Sequence, residues 1–135
     1  MRRAVFVDTH YLLAVFNPDD TAHERAITLG AVIRGKFVTT TWVLAEFADA
    51  LASPGNRTRC LETIERLRRN AAVEVLSPAD ALFDSGLALY GKHDDKSWSL
   101  TDCVSFVTMR ERGITDALTA DHHFEQAGFK ALLKV

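Results

Sequence analysis

Residues 4–16 read AVFVDTHYLLAVF. Ala4 to Val7 is an unbroken apolar run, the mark of a strand covered on both faces. Asp8 ends that run, and a helical pattern from Tyr11 to Phe16 follows it, closed by Asn17-Pro18. The stretch therefore predicts a buried strand that hands over to a helix through a carboxylate. In open parallel sheets, ligands sit beyond the carboxyl ends of the strands, where the strand order reverses. An acid at such a junction ties the fold question to the functional one.

The same alternation continues downstream. Asp20-Thr21 opens a helix with Ala22, Ala26, Leu29 and Ile33 on one side. Residues 37–40 read as a second strand. A helix over 42–52 carries the stripe Leu44, Phe47, Ala48 and Leu51, and Pro54-Gly55 stops it. An arginine-rich helix spans 57–70, a third strand 73–76, and a helix runs from Ser77-Pro78 to about Tyr90. The polar stretch 91–98, GKHDDKSW, is a loop. Ser99 opens a helix to Arg112, with Gly113 as its stop. A fourth strand over 114–118, a short helix over 122–127 and a last short strand within 129–133 complete the chain. Short apolar strands alternating with amphipathic helices predict an α/β fold, a mostly parallel central sheet flanked by helices. No repeat, low-complexity segment or linker divides the chain, so residues 1–135 are expected to form a single domain.

Composition narrows the classes. At 135 residues, 47% apolar and 25% charged, the chain can bury a core and is not of disordered type. No apolar stretch reaches about 18 residues, which excludes a membrane-spanning helix. The start Met1-Arg2-Arg3 is basic, but the apolar run behind it stops at Asp8, too short for a signal peptide. Cys60 and Cys103 form no CxxC pair and read as small buried hydrophobes, so a reducing cytoplasm is expected. A net charge of −2 excludes bulk electrostatic binding to nucleic acid. A role on nucleic acid would need a local basic patch or bound metal ions.

Four carboxylates stand among mostly apolar neighbours: Asp8 after the first strand, Glu46 in TWVLAEFADAL, Asp102 in WSLTDCVSFVTM, and Asp121 after the fourth strand in ITDALTADHHF. Each has an ordinary reading. Asp8 and Asp121 suit helix caps. Ser99 to Asp102 matches a capping box. Glu46, past the first turn if Thr41 is the cap, would be answered by a salt bridge to an arginine. Together they carry more weight. Four acids converging on one rim repel each other and raise each other's pKa unless cations compensate. Residues 9–12, 42–50 and 98–106 contain no lysine or arginine. Carboxylate oxygens suit Mg²⁺ or Mn²⁺. Such ions polarise phosphoryl oxygens, lower the pKa of bound water, and offset repulsion between an acidic pocket and an anionic backbone.

The segments VDTH, LAEFAD, SLTDCVSF and LTADHHFEQAGF, in this order and spacing, resemble the PIN-domain ribonucleases, in particular the VapC-type toxins of bacterial toxin–antitoxin pairs. The resemblance covers nearly the whole chain, and SLTD and TADHHF are its most specific pieces. It implies a PIN-like fold, a catalytic and metal-binding acidic pocket of Asp8, Glu46, Asp102 and Asp121, and a substrate-side hydroxyl at Thr9. It further implies Mg²⁺- or Mn²⁺-dependent cleavage of single-stranded RNA, a homodimer, and inhibition by a cognate antitoxin protein. His10 stands where the family commonly has a small residue, and is expected to fill space.

Other polar features have quieter readings. The segment 57–70 holds five Arg and two Glu; it is expected to be a solvated helix face with pairs Glu62–Arg66 and Glu65–Arg69. His122 and His123 lack zinc spacing and read as loop or helix-start residues, with substrate contact the lesser alternative. Asp94 and Asp95 lie in a polar loop; Asp95 and Asp116 are reserve candidates for a fifth acid. Two other functions compete with the nuclease. One is phosphotransfer through an aspartyl nucleophile at Asp8, against which Asp8-Thr9-His10 lacks the second Asp of a DxD signature. The other is a non-catalytic PIN-like module that only binds RNA or protein.

Overall fold

The computed structural model describes residues 3–135; the basic Met1-Arg2 start lies outside the described residues. Five strands, β1 (Val5–Val7), β2 (Phe37–Thr40), β3 (Val73–Leu76), β4 (Asp116–Leu118) and β5 (Lys130–Ala131), form one sheet in the order β3-β2-β1-β4-β5. Every pairing is parallel, with Val5 opposite Phe37, Val7 opposite Leu118 and Thr40 opposite Leu76. The helices are α1 (Thr9–Phe16), α2 (His23–Val32), α3 (Thr41–Ala50), α4 (Pro54–Arg69), α5 (Asp80–Lys92), α6 (Leu100–Arg112) and α7 (His122–Gln126). The chain steps outward from β1 through β2 to β3, then crosses to the other side of β1 for β4. The order thus reverses between β1 and β4, and a crevice opens beyond their carboxyl ends.

The apolar run in β1 is explained by its place: all three residues are buried, with helices on both faces. β3 lies at an edge and is half-buried throughout. Its Glu74 forms a two-pronged pair with Arg112 at the end of α6, at 3.0 and 2.6 Å. Phe6, Phe47, Phe106, Phe124, Met109 and Leu118 are fully buried. Phe106 meets Phe124 edge-on at 4.9 Å and Trp98 at 5.0 Å. The Trp98 indole N–H donates to Gln126 at 3.0 Å. This aromatic line fastens α7 to the start of α6, which decides what meets at the crevice.

Several boundaries differ from the sequence expectation, each for a local reason. α1 begins at Thr9, directly after Asp8, not at Tyr11. α2 begins only at His23, because the Asp20 carboxylate takes the Ala22 N–H in a turn at 2.9 Å instead of capping a helix. The cap of α3 is Thr40, whose hydroxyl accepts from Val43 N at 3.2 Å, while the Thr41 hydroxyl donates to the Leu76 carbonyl. Pro54 does not merely stop α3; it occupies the first turn of α4, where its missing N–H costs nothing. α5 runs from Asp80 to Lys92, later at both ends than Pro78 to Tyr90. Ile114 belongs to the turn after α6, with its N–H on the Met109 carbonyl at 2.8 Å, so β4 starts at Asp116. That turn needs Gly113 in the left-handed region, at φ 65°. β5 has two residues, not five. α5 packs tightly on α6 because Gly86 carries no side chain: a Cβ there would lie 2.5 Å from Val104 Cγ2.

Candidate metal-binding active site

A cavity of about 370 Å³ lies beyond the carboxyl ends of β1 and β4. Asp8, Thr9, Glu46, Asp102 and Asp121 all line it, together with His10 and His123. Residues more than 110 positions apart reach this place because β1 and β4 are neighbours.

Asp8 is the deepest of the acids, 2% exposed. It stands at the N-cap position of α1 but makes no side-chain cap bond. The cap expected for it is not formed. Its Oδ2 instead accepts from the Thr119 hydroxyl at 2.8 Å. The same Thr119 oxygen accepts the Asp121 N–H at 3.1 Å. One fully buried hydroxyl therefore joins the acid after β1 to the acid after β4. Burial pushes the Asp8 carboxyl up from 3.8 to about 6, with the Asp102 charge adding to the rise and the Thr119 hydrogen bond and His10 opposing it.

Glu46 projects from α3 and accepts from the Thr9 hydroxyl. The arginine partner expected for a buried Glu46 is not there. Thr9 is itself buried, so its hydroxyl serves Glu46 rather than the open side of the cavity. Asp102 does form the capping box: it receives the Ser99 N–H at 3.2 Å, and the Ser99 hydroxyl receives its own N–H at 2.9 Å. Asp121 caps α7 by accepting the His123 N–H at 2.9 Å. For these two acids, capping and lining the cavity are compatible, because the helices begin at the rim. Burial first, and then the Asp121 charge, push the Asp102 carboxyl up.

His123 belongs to this group, beyond the helix-start role its sequence position suggests. Its Nδ1 lies 3.2 Å from Asp102 Oδ2 and 3.4 Å from Asp121 Oδ1. His122 is exposed, with its ring against that of His123 at 4.4 Å. Despite lacking zinc spacing, the two rings and Asp121 bring one donor atom each within 4.8 Å of one another. The signal in the sequence was Asp-x-His at a helix start: the cap bond to residue 123 draws its ring back toward Asp121. Thr119 was missed as well, and Thr-x-Asp after a strand was its signal. The reserve acids do not join. Asp95 is exposed beside Lys96 at 3.3 Å, and Asp116 starts β4 at the opposite end of the sheet.

Among the described residues, no lysine or arginine comes within 4.0 Å of Asp8, Glu46, Asp102 or Asp121. Their charge is answered by two hydroxyls, backbone N–H groups and one imidazole. An oxygen-rich, cation-poor donor set of this kind fits a hard divalent cation. The arginines of α4 lie elsewhere. Arg59 sits 4.1 Å over the Phe16 ring and donates to the Phe16 carbonyl, and Arg57 donates to the Ala52 carbonyl. The expected pairs Glu62–Arg66 and Glu65–Arg69 are not formed, so this helix face stays unpaired by its own acids.

Comparison with known proteins agrees with the geometry. The model of the PIN domain matches residues 5–130. The 23S rRNA-specific endonuclease VapC20 of Mycobacterium tuberculosis is 32% identical over 126 residues, 93% of this chain and 95% of that protein. The crystal structure of M. tuberculosis VapC20, described as a sarcin–ricin loop cleaving toxin, superposes with a TM-score of 0.84 at 29% identity, covering 93% of this chain and 95% of that one. VapBC2 from Rickettsia felis, solved on a promoter DNA fragment, shares the fold at a TM-score of 0.66 and 9% identity, over 95% of this chain and 96% of that one.

Proposed function

Because this chain belongs to the PIN-domain family, in its VapC-type branch, we propose that it is a divalent-metal-dependent endoribonuclease and the toxin of a toxin–antitoxin pair. We read residues 1–135 as one domain of this kind. The observation that carries the proposal is the convergence of Asp8, Glu46, Asp102 and Asp121 on one cavity with, among the described residues, no lysine or arginine paired to them. Mg²⁺ or Mn²⁺ is the proposed cofactor, held by those carboxylates. Such an ion supplies polarisation of a phosphoryl oxygen and a more acidic water.

The chain's own residues have separable parts in this. Thr119 holds Asp8 and the start of the α7 turn at one spacing, so two acids from distant strands keep their aim. Thr9 fixes one oxygen of Glu46 and leaves the other for the cavity. The capping box holds Asp102 by one oxygen at the helix start. Leu13 and Ala50 add apolar wall to the cavity. Burial leaves the Asp8 carboxyl at about 6, and a cation bound beside it would hold it ionised as a ligand.

RNA is the proposed substrate. 23S rRNA carrying the sarcin–ricin loop is the first to try, because the relative is named for it. Purified protein, free of antitoxin, should cleave RNA with Mn²⁺ or Mg²⁺ and stop with EDTA, and Asp8→Asn should be inactive. Tight RNA binding without cleavage, unchanged by Asp8→Asn, would instead make the chain a non-catalytic binding module. The proposed partners are an antitoxin protein and a second copy of the chain. Phe83, Leu87 and Tyr90 support the second: they form an exposed apolar row along α5 at helical spacing. Sedimentation of the purified chain tests it.

A further inference from the structure

We propose that His123 is itself a ligand of the cation through Nδ1, so that the site is a mixed oxygen–nitrogen set that favours Mn²⁺ over Mg²⁺. This rests on the metal-dependent reading above. The first observation is distance. Two donor atoms adjacent on an octahedral ion with bonds of about 2.1 Å are about 3.0 Å apart. Nδ1 lies 3.2 Å from an oxygen of Asp102 and 3.4 Å from one of Asp121, a few tenths from that spacing toward two carboxylates at once.

The second observation is the ring's setting. Its side chain is 19% exposed, and its backbone N–H is fixed on Asp121. The next residue, Phe124, is fully buried against Phe6 and Phe106. α7 therefore cannot carry the His123 backbone away from the rim without withdrawing Phe124 from the core. The third is the chemistry of Nδ1. With its proton on Nδ1 the ring donates to Asp102 at 3.2 Å; with the proton on Nε2 it turns a lone pair toward both carboxylates, the arrangement in which the three groups share a cation. A cation there satisfies all three groups together. Imidazole nitrogen is a poor ligand for Mg²⁺, which takes oxygen, and a better one along the first-row series from Mn²⁺ onward.

The experiment is pulsed electron paramagnetic resonance of Mn²⁺ bound to the full-length protein, with Mg²⁺ competition read in the same samples. Wild type should show modulation from a directly bonded ¹⁴N. His123→Ala and His123→Gln should lose it, while His122→Ala keeps it. Mn²⁺ affinity should fall on the order of tenfold in both His123 variants, with Mg²⁺ affinity nearly unchanged. Circular dichroism of the metal-free variants separates misfolding from ligand loss, and the glutamine variant keeps a polar side chain in the alanine variant's place. If Mn²⁺ binds wild type with oxygen ligands only, His123 is no ligand and the inference falls while the metal site stands. If the nitrogen signal follows His122 instead, the assignment to His123 is wrong. If no Mn²⁺ binds wild type, the metal-dependent reading falls with it.

Discussion

The two ends of β4 make a controlled comparison. Each has a threonine and an aspartate: Thr115-Asp116 before the strand's centre and Thr119-x-Asp121 beyond it. At the amino end the Thr115 hydroxyl lies 3.4 Å from Asp116, in an exposed pair, and Arg3 and Arg34 line the same cavity as Asp116. At the carboxyl end the Thr119 hydroxyl is buried and joined to two acids, and among the described residues no arginine pairs with either. The helices that follow β1, β2 and β4 begin at this second end. Their positive N-termini therefore face the acids, and at α7 the spare His123 N–H holds Asp121. An acid at the amino end is an ordinary surface charge. Acids at the carboxyl end are gathered by topology.

Mutations that treat the two ends alike should give unlike results. The largest difference is expected in RNA cleavage. Asp8→Asn or Asp121→Asn should lower it by about 10³-fold, the upper range for one electrostatic group, whereas Asp116→Asn should leave it within about twofold. Stability of the metal-free protein comes next. The Asp8 carboxyl keeps its proton up to about pH 6 when folded and loses it near 3.8 when unfolded. Between those values the folded state binds more protons, so stability falls as pH rises through that window, by up to about 3 kcal/mol. Asp8→Asn escapes this loss. In urea titrations with EDTA it should be more stable than wild type above pH 6, and no more stable below about pH 3.8. Asp116→Asn should change stability by less than about 0.5 kcal/mol at any pH.

Thr119→Val should cost about 2 kcal/mol, because it leaves both Asp8 and the Asp121 N–H short of a buried partner. Thr119→Ser should recover most of that, and Thr115→Val at the other end should cost almost nothing. The smallest effect is expected at the α6 cap. Ser99→Ala should cost about 1 kcal/mol and raise the Mn²⁺ concentration needed for half-maximal cleavage, since it loosens the turn that aims Asp102.

The alternation of strands and helices was legible in the sequence because burial on both faces leaves unbroken apolar runs. The rim acids were legible because carboxylates among apolar neighbours are conspicuous. What local reading could not supply was partnership across the chain. Asp8 looked like a cap, yet its oxygen is taken by Thr119. Glu46 invited an arginine and received the Thr9 hydroxyl. Glu62 and Glu65 had arginines four residues on, and exposed side chains did not close on them. His123 looked like a bystander, because its partner Asp102 comes from another helix and is brought near by the Trp98–Phe106–Phe124 line. Pro54 was read as a stop when it also starts the next helix. Periodicity reveals which face is buried; it does not reveal which distant residue arrives there.

The clasp between Thr119 and Asp8 spans 111 residues of chain. At roughly 5–20 residues per second of synthesis, its second half emerges about 6–20 s after its first. Until β4 pairs with β1, Asp8 has neither its hydroxyl nor Asp121 beside it, and no fragment short of β4 can assemble the cavity. The four acids can thus come together only once nearly all of the described sequence has been made.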